Sequence, residues 1–330
     1  RLSFNDLPAG VKVDKSDGDI LFVTVSGSHL NALQFALGRG DDDLRVLTRT
    51  QRFGKSTPTQ DRQIDLQMMR DAKDVAEYIA YQRLGIGGKL KAGAVVVEQV
   101  LCLNGRITIE KECDTPAPAA KYLERGAVIT AVNGRATPTL DDLPKAMAGL
   151  RPGDVVTIRY KSPGSSEEQE ARFPTISQSD RPDHPLIGFA AHDTYSVELP
   201  FKARINTDEI GGPSAGLAFT LTLIDRLSPG SLTGGRKVAV TGTINDDGTV
   251  GAIGGLHQKV VAVKQAGAAY FIVPRAQGED GIDGLAEARR VAGRSLEIVP
   301  VGDLEDALDA LAARGGLRLP DMLPSTTIAN

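Results

Sequence analysis

The chain has 330 residues, 41% hydrophobic and 24% charged, with 38 Lys and Arg set against 42 Asp and Glu. That composition excludes a disordered chain, a collagen-like repeat and a small disulfide-stapled toxin. A net charge of −4 leaves no basic excess for nucleic acid or an anionic membrane, so no nucleic-acid partner is expected.

Length alone suggests about two domains, and the pattern along the chain suggests three blocks: 1–88, 89–176 and 177–330. The first is mixed. Residues 20–26 alternate and are rich in β-branched side chains, which predicts a strand, and 44–50 read similarly. Over 62–84, Ile64, Met68, Ala72, Val75 and Ile79 keep helical spacing, and Gly85 stops the helix. The run Gly85-Ile86-Gly87-Gly88-Lys89 lacks the spacing of a phosphate loop and reads as a helix cap and joint. No stretch reaches the roughly 18 apolar residues of a spanning helix. The chain begins with Arg1 rather than Met, which suggests that an upstream segment has been removed.

In the second block, 94–100 predict a strand. Cys102 and Cys113 flank Asn104-Gly105, a hairpin turn signal that sets Cys102 opposite Ile107. Neither a disulfide nor, without a CxxC or a His pair, a zinc site is expected there. A strand ending at Asn133-Gly134, a helix over 140–149, a turn at Pro152-Gly153 and a strand over 154–160 follow. A polar, Pro-rich stretch leads into the third block. Its strands are predicted at 194–204, 238–243 and 270–273, and its helices at 214–227, 256–266 and 303–313, an α/β pattern.

Chemistry concentrates in the third block. Gly211-Gly212-Pro213-Ser214-Ala215-Gly216 places a serine where a loop meets a helix. A serine there is usually an N-cap. Glycines around it let a substrate approach the backbone, and outward N–H groups at a helix N-terminus suit a developing oxyanion. The same run fits the G-x-S-x-G elbow, which needs an acid and then a His downstream. Asp246 or Asp247 followed by His257 supply that order. The rival base is Lys259. It lies in the first turn of a helix with the apolar stripe Leu256, Val260, Val263. A helix N-terminus and apolar neighbours both lower a lysine pKa, and a neutral amine can take a serine proton. The plain reading of a lone lysine is an outward-pointing surface group, and Lys264 fits that reading.

Two resemblances extend this. Residues 119–160 resemble the core of a bacterial PDZ domain, although Ala127 stands where that family often has Asp and 101–114 are an insert. The likeness implies a fold that captures peptide C-termini on a sheet edge. The segments 209–227 and 238–274, in order, resemble the proteolytic domain of the Lon protease family. By that resemblance Ser214 is the nucleophile, Lys259 its partner and Thr241 of the Thr241-Gly242 pair a support for the lysine; the glycine-rich turn itself makes the backbone near Gly212 and Ser214 the expected oxyanion site. Asp208 or Glu209 could occlude such a site.

No Walker A motif is present. A PDZ-like block ahead of a Lon-type domain therefore resembles the small, ATPase-lacking PDZ–Lon proteins. The resemblance implies an N-terminal membrane anchor upstream of Arg1, an extracytoplasmic location and a homo-oligomeric ring, often hexameric. The expected fold class is α/β (α+β) and multidomain: an N-terminal mixed segment, a β-rich PDZ-like domain and a Lon-type α/β domain. The expected activity is ATP-independent serine endopeptidase, acting on unfolded or flexible polypeptides without a cofactor or metal. The alternatives are a Ser214–His257 esterase or amidase and a catalytically silent peptide-binding scaffold.

Overall fold

Two short strands, β1 (Leu2–Asn5) and β2 (Asp19–Phe22), precede helix α1 (Ala32–Gly38) and the long helix α2 (Pro58–Arg83). The computed structural model describes residues 2–320 apart from 6, 9, 28–29, 39–42, 50–51, 53–56, 102, 104–114, 178–180 and 280. His29, both cysteines and the Asn104-Gly105 turn fall outside the described residues. Helix α2 starts earlier than its apolar spacing predicts because Thr57 and Gln60 form a reciprocal capping box, with backbone-to-side-chain bonds of 2.9 and 3.2 Å, and Pro58 takes the first helical position. It ends in a Schellman turn: Gly85 is left-handed, and the Ile86 N–H donates to the Tyr81 carbonyl at 2.9 Å. The strand predicted over 44–50 does not form, since 44–48 have no regular structure and Thr50 is not described.

Contacts divide the chain into two compact units. One gathers Arg1–Val46, Asp65–Leu90 and Val197–Asn330, and the other Leu47–Ile64 and Lys91–Ser196. This differs from the expected boundaries at 88 and 176. The reason is long-range pairing: β1 and β2, which lie in the expected first segment, join Lys202–Ile205 and Lys237–Val240.

The second unit is built on a sheet ordered β10-β3-β4-β6-β7, with β5 beside β4. Its elements are β3 (Lys89–Val100), β4 (Val128–Val132), β5 (Arg135–Ala136), α3 (Asp142–Ala146), β6 (Val155–Lys161), β7 (Glu168–Pro174), the short pair β8 (Ile176–Ser177) and β9 (Pro185–Leu186), and β10 (Phe189–Glu198). Alternation sends Val156, Ile158 and Tyr160 of β6 and Ala171 and Phe173 of β7 into one core with Val95, Val97 and Ile129. Ala127, also fully buried in that core, occupies a place where a carboxylate would be costly. Asn133 and Gly134 both have positive φ, as a two-residue hairpin turn requires.

The first unit resumes with β11 (Lys202–Ile205), which pairs antiparallel with β1. The strand predicted over 194–204 is thus two strands. Pro200 lies between them and has no N–H for a ladder. Then come α4 (Gly216–Leu227), β12 (Lys237–Val240), the hairpin β13 (Thr243–Ile244) and β14 (Val250–Gly251), α5 (Leu256–Ala266), β15 (Tyr270–Pro274), α6 (Leu285–Ala292), β16 (Glu297–Val301) and α7 (Leu304–Ala312). Helix α6 and β16 were not anticipated from the sequence. A parallel sheet runs β16-β15-β12-β2, and β15 is buried throughout, as a strand covered on both faces must be. Leu256, Val260 and Val263 of α5 pack on Phe271, Val273, Leu285 and Ala288. Among the described residues, no helix is long and apolar enough to cross a membrane.

Candidate active site

The turn before α4 is locked onto the end of β12. The Ser214 carbonyl accepts the Gly242 N–H at 2.9 Å and the Thr241 hydroxyl at 3.2 Å, and the Leu217 N–H donates to the Gly242 carbonyl at 3.1 Å. This close approach explains Gly216, where a Cβ would lie 2.9 Å from Ile244 Cγ2 and 3.0 Å from the Ile244 nitrogen. Ser214 is not the cap of α4. Ala215 holds that position, with no side-chain hydrogen bond to the helix. The serine hydroxyl is thereby left for another partner.

That partner is Lys259. Helix α5 begins at left-handed Gly255, and the Lys259 N–H donates back to the Gly255 carbonyl at 3.0 Å. The Lys259 side chain is 2% exposed. Its Nζ donates to Ser214 Oγ at 3.1 Å and to Thr241 Oγ1 at 3.1 Å. Thr241 is fully buried, and its hydroxyl accepts from the amine while donating to the Ser214 carbonyl. Burial penalises the ammonium and pushes the Lys259 pKa down to about 8, against a smaller opposing pull from Asp283. By contrast, Lys264 on the same helix is exposed and bonds the Val291 carbonyl.

Two expectations are corrected here. Gly212 does have positive φ, but its N–H donates to the Asp65 carbonyl of α2 at 2.7 Å, so that amide is not open to a substrate oxyanion. The N–H groups of Ser214 and Ala215 have no acceptor among the described residues. The elbow reading also fails geometrically. Strand β11 ends at Ile205, well before Ser214, and the His257 ring turns to Glu287, with Nδ1 3.0 Å from its Oε1. Asp247 accepts from the Thr249 N–H and hydroxyl in the hairpin turn. Asp208 and Glu209 are exposed, and the Asp208 N–H donates to Asn206 Oδ1 at 2.9 Å. Neither Asp65 nor Asp283 was picked out from the sequence. Both act through backbone groups far away in the chain, for which no local signal exists. Among the described residues no cluster of three or more His, Cys, Asp or Glu side chains could hold a metal ion.

Residues 205–314 match the family described as the Lon protease (S16) C-terminal proteolytic domain. That match indicates a serine peptidase domain in this part of the chain. Ser214, Thr241 and Lys259 all fall inside the matched Lon-type segment. No curated protein matches the chain. Among solved structures, the PDZ domain of an SdrC-like protein from Listeria monocytogenes is similar at 23% identity, over 31% of this chain and 92% of that one, with a TM-score of 0.24. The corresponding domain from Listeria innocua is similar at 25% identity, over 28% of this chain and 93% of that one, with a TM-score of 0.21.

Proposed function

We propose that the chain is an ATP-independent serine endopeptidase that cleaves unfolded or flexible polypeptide segments with a Ser214–Lys259 dyad. The observation that carries this reading is a buried amine, 3.1 Å from a serine hydroxyl, inside a Lon-type domain. Once neutral, the amine has a lone pair, and at that distance the hydroxyl can donate into it. Ser214 Oγ then attacks the peptide carbonyl and its proton passes to Lys259 Nζ. Collapse of the tetrahedral intermediate breaks the C–N bond, and Lys259 returns the proton to the departing amine. Water, relieved of a proton by the same lysine, attacks the acyl carbonyl, the bond to Ser214 Oγ breaks, and Lys259 returns that proton to the serine. The amides of Ser214 and Ala215, at the positive end of α4, are the donors best placed for the oxyanion, in place of Gly212.

Full-length chain without nucleotide should degrade casein and leave a tightly folded domain intact, read by gel and by fluorescence of a labelled substrate. Equal cleavage of the folded domain overturns the substrate class, and no cleavage of casein by folded protein overturns the activity.

Thr241 has a role of its own in this scheme. It ties the amine to the backbone of the nucleophile, so Thr241→Val should lower kcat by one to two powers of ten, about the value of a hydrogen bond to a charged group, with KM nearly unchanged. Thr241→Ser should restore most of the rate. A Val variant with the wild-type rate would show that the hydroxyl is a bystander.

The second unit supports capture of peptide as well as cutting. Strand β10 is an outer strand of its sheet, the kind of edge to which an extended peptide can add. The ring assembly, upstream anchor and extracytoplasmic location implied by resemblance are part of the same proposal, and native mass spectrometry and cell fractionation test them.

A further inference from the structure

We propose that Asp283 is a positioning residue for the dyad, whose carboxylate fixes the first turn of α5 and places a counter-charge beside the lysine. The inference rests on the Ser214–Lys259 reading above.

Helix α5 has no cap of its own. It opens on Gly255, which has no side chain to offer its free N–H groups. Asp283, in the loop before α6, supplies the missing acceptors. Its Oδ2 accepts the Gly255 N–H at 3.1 Å and its Oδ1 the His257 N–H at 3.4 Å. Lys259 follows within the same turn and hangs from the Gly255 carbonyl. Pinning residues 255 and 257 therefore sets where the amine stands relative to Ser214, and misplacement by an ångström is enough to cost a large part of a rate.

Charge gives Asp283 a second effect. An ammonium at a helix N-terminus meets the unfavourable end of the dipole, and a carboxylate there offsets it. The hydrogen-bond partners of the amine, Ser214 and Thr241, are uncharged, and the charge that acts on it is that of Asp283. Around Asp283 stands the Arg45 guanidinium at 3.8 Å. The His257 ring, on the same turn, faces Glu287 of α6 at 3.0 Å and Asp43 at 3.7 Å, and Glu287 in turn binds Arg290 at 2.7 Å.

The test is the pH dependence of hydrolysis of a short, non-titrating fluorogenic peptide by the full chain. Asp283→Asn removes the charge but keeps the shape. The acid-side midpoint of kcat/KM should fall by about half a pH unit, a roughly threefold gain in relative rate on that limb. Asp283→Ala should show the same fall together with a lower plateau. In an otherwise native chain, Arg45→Met leaves the carboxylate uncompensated and should raise the midpoint. That third variant keeps the proposal testable if the first two fold poorly, as judged by circular dichroism. A midpoint that stays put or rises in Asp283→Asn, or one that does not rise in Arg45→Met, overturns the proposal. Ser214→Ala is run alongside. If it hydrolyses the peptide at the wild-type rate, the dyad itself falls and this inference with it. If it is inactive and the midpoints do not move, only the role of Asp283 falls.

Discussion

Lys259→Met abolishes casein hydrolysis and makes the protein more stable at neutral pH. The two halves of this expected result have one cause. The Lys259 side chain is buried with its amine bonded to Ser214 and Thr241, and its pKa stands at about 8 against an ordinary 10.5. A lysine whose folded pKa is depressed gives up its proton more readily in the folded state than in the unfolded one. Below pH 8 the chain therefore carries the full cost of charging a buried amine, and that cost fades as pH rises from 8 to 10.5. The difference amounts to about 3 kcal/mol at neutral pH. Methionine fills similar space without a charge, so the variant should melt several degrees higher at pH 7, and its advantage should vanish towards pH 10.5. Activity should drop at least about a thousandfold, since general base and proton donor are lost together. Ser214→Ala should lose activity to the same degree with little change in melting temperature, because the half-buried hydroxyl has no role in capping α4. Differential scanning fluorimetry across pH, paired with casein turnover, reads both. A Lys259→Met variant that keeps a substantial rate, or that melts lower at pH 7, contradicts the assignment.

A residue that destabilises the fold and is nonetheless placed between two hydroxyls is the mark of a site held together for chemistry. The surrounding backbone spends several features on that placement. Gly242 donates to the Ser214 carbonyl, and Gly216 lets the head of α4 lie against Ile244. Thr241 ties nucleophile and amine to one strand end. None of these contacts caps a helix or fills a core more efficiently than an apolar residue would.

What could be read from the chain was what local chemistry encodes. Helix α5 runs over the residues its apolar stripe predicts, because Gly255 and Gly267, both left-handed, bracket it. Ser214 and Lys259 stood out because glycine-flanked serine and first-turn lysine are each locally odd. Ser214 at the helix start was open to two readings for a physical reason: a serine before a helix can serve the helix or a neighbour, and only the arrival of Lys259 from another helix decides which. The edge of the parallel sheet was illegible for the same reason. Asp19–Phe22 pairs with Lys237–Val240 across most of the chain, and nothing in either segment names the other. Gly212 shows the limit most sharply. Its positive φ was foreseeable, but the carbonyl of Asp65 that takes its N–H was not.

The rate of hydrolysis should follow the neutral fraction of one amine. With Lys259 near 8 and acting as the base, kcat/KM should rise tenfold per pH unit on the acid side, bend near pH 8 and run flat above it, leaving roughly one-hundredth of the plateau at pH 6. The origin of the bend separates the dyad from its rival. A bend set by Lys259 survives loss of the histidine side chain, and a bend set by the histidine does not. The measurement calls for a short fluorogenic peptide with no group titrating between pH 5.5 and 9.5, so that the limb belongs to the enzyme. His257→Gln should leave the bend where it is, since the ring faces Glu287 rather than Ser214. Thr241→Val, which strips one of the two oxygens that accept from the ammonium, should move it to lower pH while lowering the plateau. A bend that disappears in His257→Gln would transfer the proton to the histidine and remove Lys259 from the chemistry.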